Sequence, residues 1–145
     1  MRVVIQRVSS ASVNVDGQLI SEIGLGFLVL LGVKDTDTEE EAKYLADKTS
    51  KLRVFEDSEE KMNLGIKEVN GEILVVSQFT LYGDATGGNR PSFIEAARPE
   101  KAVLLYEKFC EYIEQNGIKV KKGKFQAMMD VKLVNNGPVT IIIEK

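Results

Sequence analysis

The chain has no histidine and only one cysteine in 145 residues. Without an imidazole it lacks the usual general base. A hydrolase of this sequence would have to work through backbone groups, hydroxyls, carboxylates or the substrate itself. A single cysteine excludes an internal disulfide framework, and with no histidine beside it the chain reads as a poor zinc binder. An all-carboxylate magnesium or calcium site stays open, although no EF-hand spacing occurs; the expectation is a protein with no cofactor and no metal. Long apolar runs are also missing. None approaches the roughly 20 residues of a membrane span, and Met1–Arg7 is strand-like and too interrupted for a secretory leader. These absences point to a cytoplasmic protein without membrane contact. An excess of positive charge is lacking too: the net charge is −3, which argues against a nonspecific polyanion binder.

What is present is ordinary globular composition, 43% hydrophobic and 28% charged, in a length suited to one domain over residues 1–145. Charge is unevenly spread. Asp35, Asp37, Glu39, Glu40 and Glu41 form an acidic block, and Lys119, Lys121, Lys122 and Lys124 a basic one. Both read first as solvated surface; a phosphate contact is the sharper reading of the lysines.

Periodicity predicts strands over residues 2–31, with Val3–Ile5 and Val13–Val15 alternating. Asp16-Gly17 marks a hairpin, and Leu25–Leu31 reads as a buried strand. Thr38 and Glu41 fit a capping box that opens a helix with Ala42, Leu45, Ala46, Thr49 and Leu52 on one face. Asn70-Gly71 reads as a second hairpin leading into Ile73–Gln78. A loop follows from Gly83 to Pro91, and a second helix starts near Pro99 with Ala102, Leu105, Tyr106, Phe109 and Ile113 inward. Gly117 stops it. Cys110 falls among its apolar positions and reads as a core thiol rather than a nucleophile. Further strands are expected near Lys119–Lys121, Ala127–Val134 and Val139–Glu144. The fold class is α/β: a single domain with a mixed, mostly antiparallel or barrel-like sheet covered by two amphipathic helices.

Two segments set polar or conformationally special residues at strand mouths. Ser77-Gln78-Phe79-Thr80 closes the run Ile73–Val76. Where strand pairing stops, backbone N–H groups are freed, and such groups can stabilise an oxyanion. An ordinary polar strand end is the plainer reading. Neither hydroxyl has an evident activating base, and Asp84 reads as a turn former. Asn135-Asn136-Gly137-Pro138-Val139-Thr140 combines a residue that permits unusual φ with one that fixes it. Its plain reading is a hairpin turn between two C-terminal strands, and only about 5–6% of X–Pro bonds in folded proteins are cis.

Together with Val4-Ile5-Gln6-Arg7-Val8, Ala11-Ser12-Val13, Gly26–Gly32 and Gly88-Asn89-Arg90-Pro91-Ser92-Phe93, these segments closely resemble the D-aminoacyl-tRNA deacylase family along essentially the whole chain. The resemblance implies hydrolysis of the ester joining a D-amino acid to the terminal adenosine of tRNA, and removal of mischarged glycine. It implies a homodimer in which a cis Gly137-Pro138 loop reaches into the partner's site and screens the α-carbon substituents. Ser77, Gln78, Phe79 and Thr80 would then line the ester pocket. Arg7, Phe125 and Met129 would brace the loop or hold the adenosine end. It further implies assistance from the ribose 2′-hydroxyl, which suits a chain without histidine. One departure is Ala85-Thr86-Gly87-Gly88, where many relatives carry a basic residue; suspicion of phosphate contact moves to Arg90 and Lys119–Lys124. The rival readings are a non-catalytic nucleic-acid-binding module and a small structural domain whose two motifs are only turns.

Overall fold

Val3, Ile5, Ala11 and Val13 alternate with more exposed neighbours along β1 (Arg2–Val15), a single 14-residue strand in the computed structural model, which describes residues 1–145. β1 organises the sheet. Its first half pairs antiparallel with β3 (Gly26–Gly32) and its second half with β2 (Gln18–Ile23). The expected Asp16-Gly17 hairpin joins β1 to β2. β3 pairs parallel with β6 (Glu72–Ser77), and β6 parallel with β7 (Val120–Lys122). The order is β2-β1-β3-β6-β7. Ser21 Oγ on β2 donates to the Lys122 carbonyl on β7 at 2.8 Å, so the two ends of the sheet nearly close into a barrel.

That closure explains why β3 and β6 are apolar on both faces. Phe27, Val29, Leu31, Ile73 and Val75 face the helices. Leu28, Leu74 and Val76 face a second, smaller core with Val8, Ala11, Val13 and Ile23.

α1 (Glu39–Lys51) begins with the expected capping box. The Glu41 carboxylate accepts from Thr38 N at 2.7 Å, and Thr38 Oγ1 accepts from Glu40 N at 3.3 Å. α2 (Pro99–Gln115) buries Ala102, Leu105, Tyr106, Phe109, Cys110 and Ile113. Its Tyr106 hydroxyl donates to the Val75 carbonyl at 2.9 Å, tying the helix to β6. Cys110 is a core thiol; burial pushes it up to about 12, far from a reactive thiolate.

Two expectations are corrected. Asn70-Gly71 is a turn but not a hairpin. The strand before it, β5 (Met62–Gly65), pairs with β4 (Arg53–Glu56) in a separate two-stranded sheet, whereas β6 joins the main one. Neither β4 nor β5 has enough alternation to be read from sequence. Gly137-Pro138 likewise does not turn the chain back. β8 (Asp130–Glu144) runs straight through it and pairs with β1 on both sides, from Asn14↔Asp130 to Arg2↔Glu144. The strand expected from Ala127 begins at Asp130.

Candidate active site

β6 hands over directly to a 3-10 turn, Phe79–Tyr82. Its last inter-strand link is Gln78 N to the Leu31 carbonyl at 2.8 Å, after which the chain coils. The first N–H groups of any helical turn have no partner within it. Here no side chain caps them, and the N–H groups of Phe79 and Thr80 meet no acceptor in the chain. Two free donors therefore sit side by side at the end of a buried strand.

A cavity of about 710 Å³ opens beside them. Ser77, Gln78 and Phe79 form one wall. Phe125 and Met129, from the segment between β7 and β8, form another, with Gln126 and Met128 among them. Phe93 and the start of α2, at Pro99 and Ala102, complete it. None of the lining side chains is ionisable. Phe125 rests on Tyr106 with centroids 5.9 Å apart, which fixes that wall to the core. Gln126 holds φ +60, a left-handed conformation uncommon for a residue with a side chain.

Thr80 is exposed and does not line the cavity; its hydroxyl accepts from the Gln78 side-chain amide. No carboxylate activates it. Asp84 is a turn former, as its sequence suggests: its carboxylate accepts from Thr86 N at 2.9 Å and Thr86 Oγ1 at 2.7 Å. These bonds hold it below the usual carboxylate range.

Arg7, Gly137 and Pro138 lie elsewhere. Between Gln6↔Thr140 and Val8↔Asn135 the register jumps, so Asn136–Val139 bulge out opposite Arg7. Arg7 follows Val3 and Ile5 on the inward face of β1 and is only 4% exposed. A buried guanidinium must satisfy its donors. It does so on Asn136 O (Nε, 3.0 Å), Val54 O (Nη1, 2.6 Å) and the Glu56 carboxylate (Nη2, 3.4 Å). Asn135 closes the bulge from within: its Oδ1 accepts from Val139 N and its Nδ2 donates to Thr140 Oγ1, both at 3.1 Å. Gly137 has φ +132, and a Cβ there would lie 2.8 Å from Val139 Cγ2 and 3.1 Å from Arg7 Nη2. The Gly137–Pro138 peptide bond is cis. None of Arg7, Gly137 and Pro138 lines the cavity. Within one chain, the strand-end motif meets Phe125 and Met129 but not the bulge.

Sequence reasoning missed Phe93, Gln126 and Pro99 as cavity residues, and Asn135 as the bulge's internal clamp. Two of them carried a signal: Phe93 ends one of the segments on which the family resemblance rests, and Asn135 is an amide beside a Gly-Pro pair. The basic block is partly spent on neighbours: Lys119 pairs with Glu72 at 2.5 Å and Lys122 with Glu107. Those contacts hold Glu72 below the usual carboxylate range and raise Lys122. No helix is long and apolar enough to cross a membrane.

The family described as D-Tyr-tRNA(Tyr) deacylase matches residues 4–144. A D-aminoacyl-tRNA deacylase of an Exiguobacterium species is 57% identical over 145 residues, covering 100% of this chain and 99% of that protein. The protein of that name from Thermotoga petrophila is 56% identical, covering 99% and 97%; that from Desulfatibacillum aliphaticivorans is 58% identical, covering 99% of each. Among solved structures, that of a c-Myc DNA Unwinding Element Binding Protein superposes with TM-score 0.93 at 42% identity, over 100% and 99% of the chains. A probable eukaryotic D-amino acid tRNA deacylase shares the fold, with TM-score 0.83 at 17% identity over 98% and 97%.

Proposed function

The chain belongs to the D-Tyr-tRNA(Tyr) deacylase family, and on that footing we propose that it is an ester hydrolase that frees D-amino acids, and mischarged glycine, from the terminal adenosine of tRNA. The observation that carries the reading is the pair of unpartnered N–H groups on consecutive residues, Phe79, which lines the uncharged cavity, and Thr80, which follows it at the cavity's edge. Such donors suit an oxyanion. Removing one from a hydrolase site typically costs about 2.7–4 kcal/mol of transition-state stabilisation. Ser77 and Gln78 orient the ester, while Phe125 and Met129 hold the adenosine.

The cavity offers no general base, so attack relies on the substrate. The ribose 2′-hydroxyl lies next to the ester and assists the incoming water. Correct placement of reacting groups supplies about 7–11 kcal/mol in favourable cases. Thr80 needs no covalent role.

Chirality is selected by exclusion. In a homodimer, Gly137 and Pro138 of the partner subunit would reach the ester pocket and present main-chain carbonyls where an L side chain would project. A D side chain points away, and glycine has none to exclude. Two features support this division of labour. The bulge is braced at Arg7 and Asn135, and it lies outside its own chain's cavity. The reaction takes place in the cytoplasm, where charged tRNA is used.

The test is release of D-tyrosine against L-tyrosine from matched aminoacyl-tRNAs. Rapid release of the D form alone supports the reading; equal rates sink it. A second reading, a non-catalytic nucleic-acid binder, is favoured by the 42% identity to the c-Myc DNA Unwinding Element Binding Protein. It requires retention of nucleic acid without any release of amino acid, and the net charge of −3 counts against it.

A further inference from the structure

The cavity wall carries an aromatic pair for which the deacylase reading gives no side-chain role. Phe79 and Phe93 meet edge to face, with centroids 5.1 Å apart. Both line the cavity, yet Phe79 is 55% and Phe93 38% exposed. Phe93 is held there firmly. Asp84 and Ser92 exchange two backbone hydrogen bonds of 2.8 Å, closing the loop just before the ring. Ala96 N donates to the Phe93 carbonyl at 3.1 Å just after it. Gly83 makes room: a Cβ at that position would lie 2.8 Å from Phe93 Cε1. Isolated exposed apolar residues need no explanation. A fixed pair of rings continuous with a substrate cavity is different, because it offers flat π surface to whatever enters.

The chemistry of the wall narrows the occupant. No cation lines the cavity, so it offers a phosphate no ion pair; a flat, uncharged group suits the rings. Unpaired RNA ends present such groups, and their bases stack on exposed aromatic side chains largely regardless of sequence. With the terminal adenosine inside, the next flat group along the strand is the base on its 5′ side. We propose that Phe93, supported edge-on by Phe79, is a stacking ledge for the nucleotide immediately 5′ of the terminal adenosine. The inference rests on the deacylase reading. It makes the enzyme distinguish an ester on an RNA end from the same ester on a lone nucleoside.

The test compares deacylation of D-tyrosyl-tRNA carrying either the natural or an abasic penultimate nucleotide, by the unmodified enzyme, Phe93→Ala and Phe93→Tyr. In the unmodified enzyme the abasic substrate is expected to raise KM by roughly 5- to 150-fold with kcat little changed. Phe93→Ala should raise KM on the natural substrate by a similar factor and add little on the abasic one. Phe93→Tyr should restore the natural value. Equal KM on both substrates in the unmodified enzyme overturns the ledge, and that comparison decides even if Phe93→Ala does not fold. An abasic penalty undiminished in Phe93→Ala overturns it as well, as does a dimer structure in which the partner chain covers the Phe93 ring. An enzyme inert toward intact D-tyrosyl-tRNA would instead remove the deacylase reading, and this inference with it.

Discussion

Arg7 donates from Nε to the main-chain carbonyl of Asn136 at 3.0 Å, across 129 residues of sequence. The same guanidinium reaches Val54 O on the small second sheet at 2.6 Å. One buried cation thus fastens the carbonyl next to Gly137 both to the strand that carries Arg7 and to a separate element of the fold. A bulge that would otherwise be a loose interruption of β8 is held from two sides.

Arg7→Met keeps the length of the stem and removes every donor. It leaves the Val54 carbonyl buried and unpaired, so stability should fall by about 1–3 kcal/mol. Activity measured well below the melting temperature should fall further than stability explains, because the Gly137 loop loses its brace. Urea unfolding read alongside deacylation separates the two effects. An intact rate in a destabilised protein would mean that the brace serves folding alone.

Gly137→Ala meets both a left-handed φ and a contact of 2.8 Å with Val139 Cγ2. A cost of order 1–3 kcal/mol is expected, with the β1–β8 ladder intact on either side of the bulge. Deacylation should fall at least tenfold. If sites are shared between subunits, mixing this variant with a Phe79 backbone-disrupting variant should restore about a quarter of the native activity after subunit exchange, since half the dimers are hybrids with one whole site each. No recovery on mixing would show that each chain works alone.

Thr80→Ala should retain most of its activity, because no carboxylate or other base contacts the Thr80 hydroxyl and its one partner is the Gln78 amide. A substrate ending in 2′-deoxyadenosine should react far more slowly than its ribo counterpart. A dead Thr80→Ala enzyme that treats both substrates alike would make Thr80 a nucleophile.

The pH dependence should carry no histidine-like signature. The chain has no imidazole and no lining side chain ionises, so a bell-shaped kcat/KM profile centred between pH 6 and 8 should not arise from the protein. An ionisation seen there should move when the amine of the substrate is altered. Stability behaves differently. A hydrogen bond from Asn116 holds Asp47, and the Lys119 ammonium paired with it holds Glu72, below the usual carboxylate range. Their stabilisation is complete above the unfolded-state values and is lost as pH falls through the lowered folded-state values. Thermal melts should therefore stay level at neutral pH and drop only in acid.

The amphipathic faces of both helices, the capping box at Thr38 and the buried runs of β3 and β6 were legible in the sequence, because hydrophobic period and end chemistry are local properties of the chain. So was the end of β6 at the Ser77 motif. Chemistry was bounded in the same way: a chain without histidine leaves backbone groups, hydroxyls, carboxylates or the substrate itself to do the work of an imidazole. The long-range pairings were not legible. Asn70-Gly71 and Gly137-Pro138 have the local composition of hairpin turns, yet the strands beside them find partners far away in sequence. Local propensity specifies that a chain bends, not which strand it then meets. The unpaired donors of Phe79 and Thr80, the Phe93 ring at the cavity and the buried Arg7 under the bulge all follow from that pairing. Only the tertiary structure decided them, because a hydrogen bond is left open, or a charge is satisfied, by what the rest of the fold brings within about 3 Å.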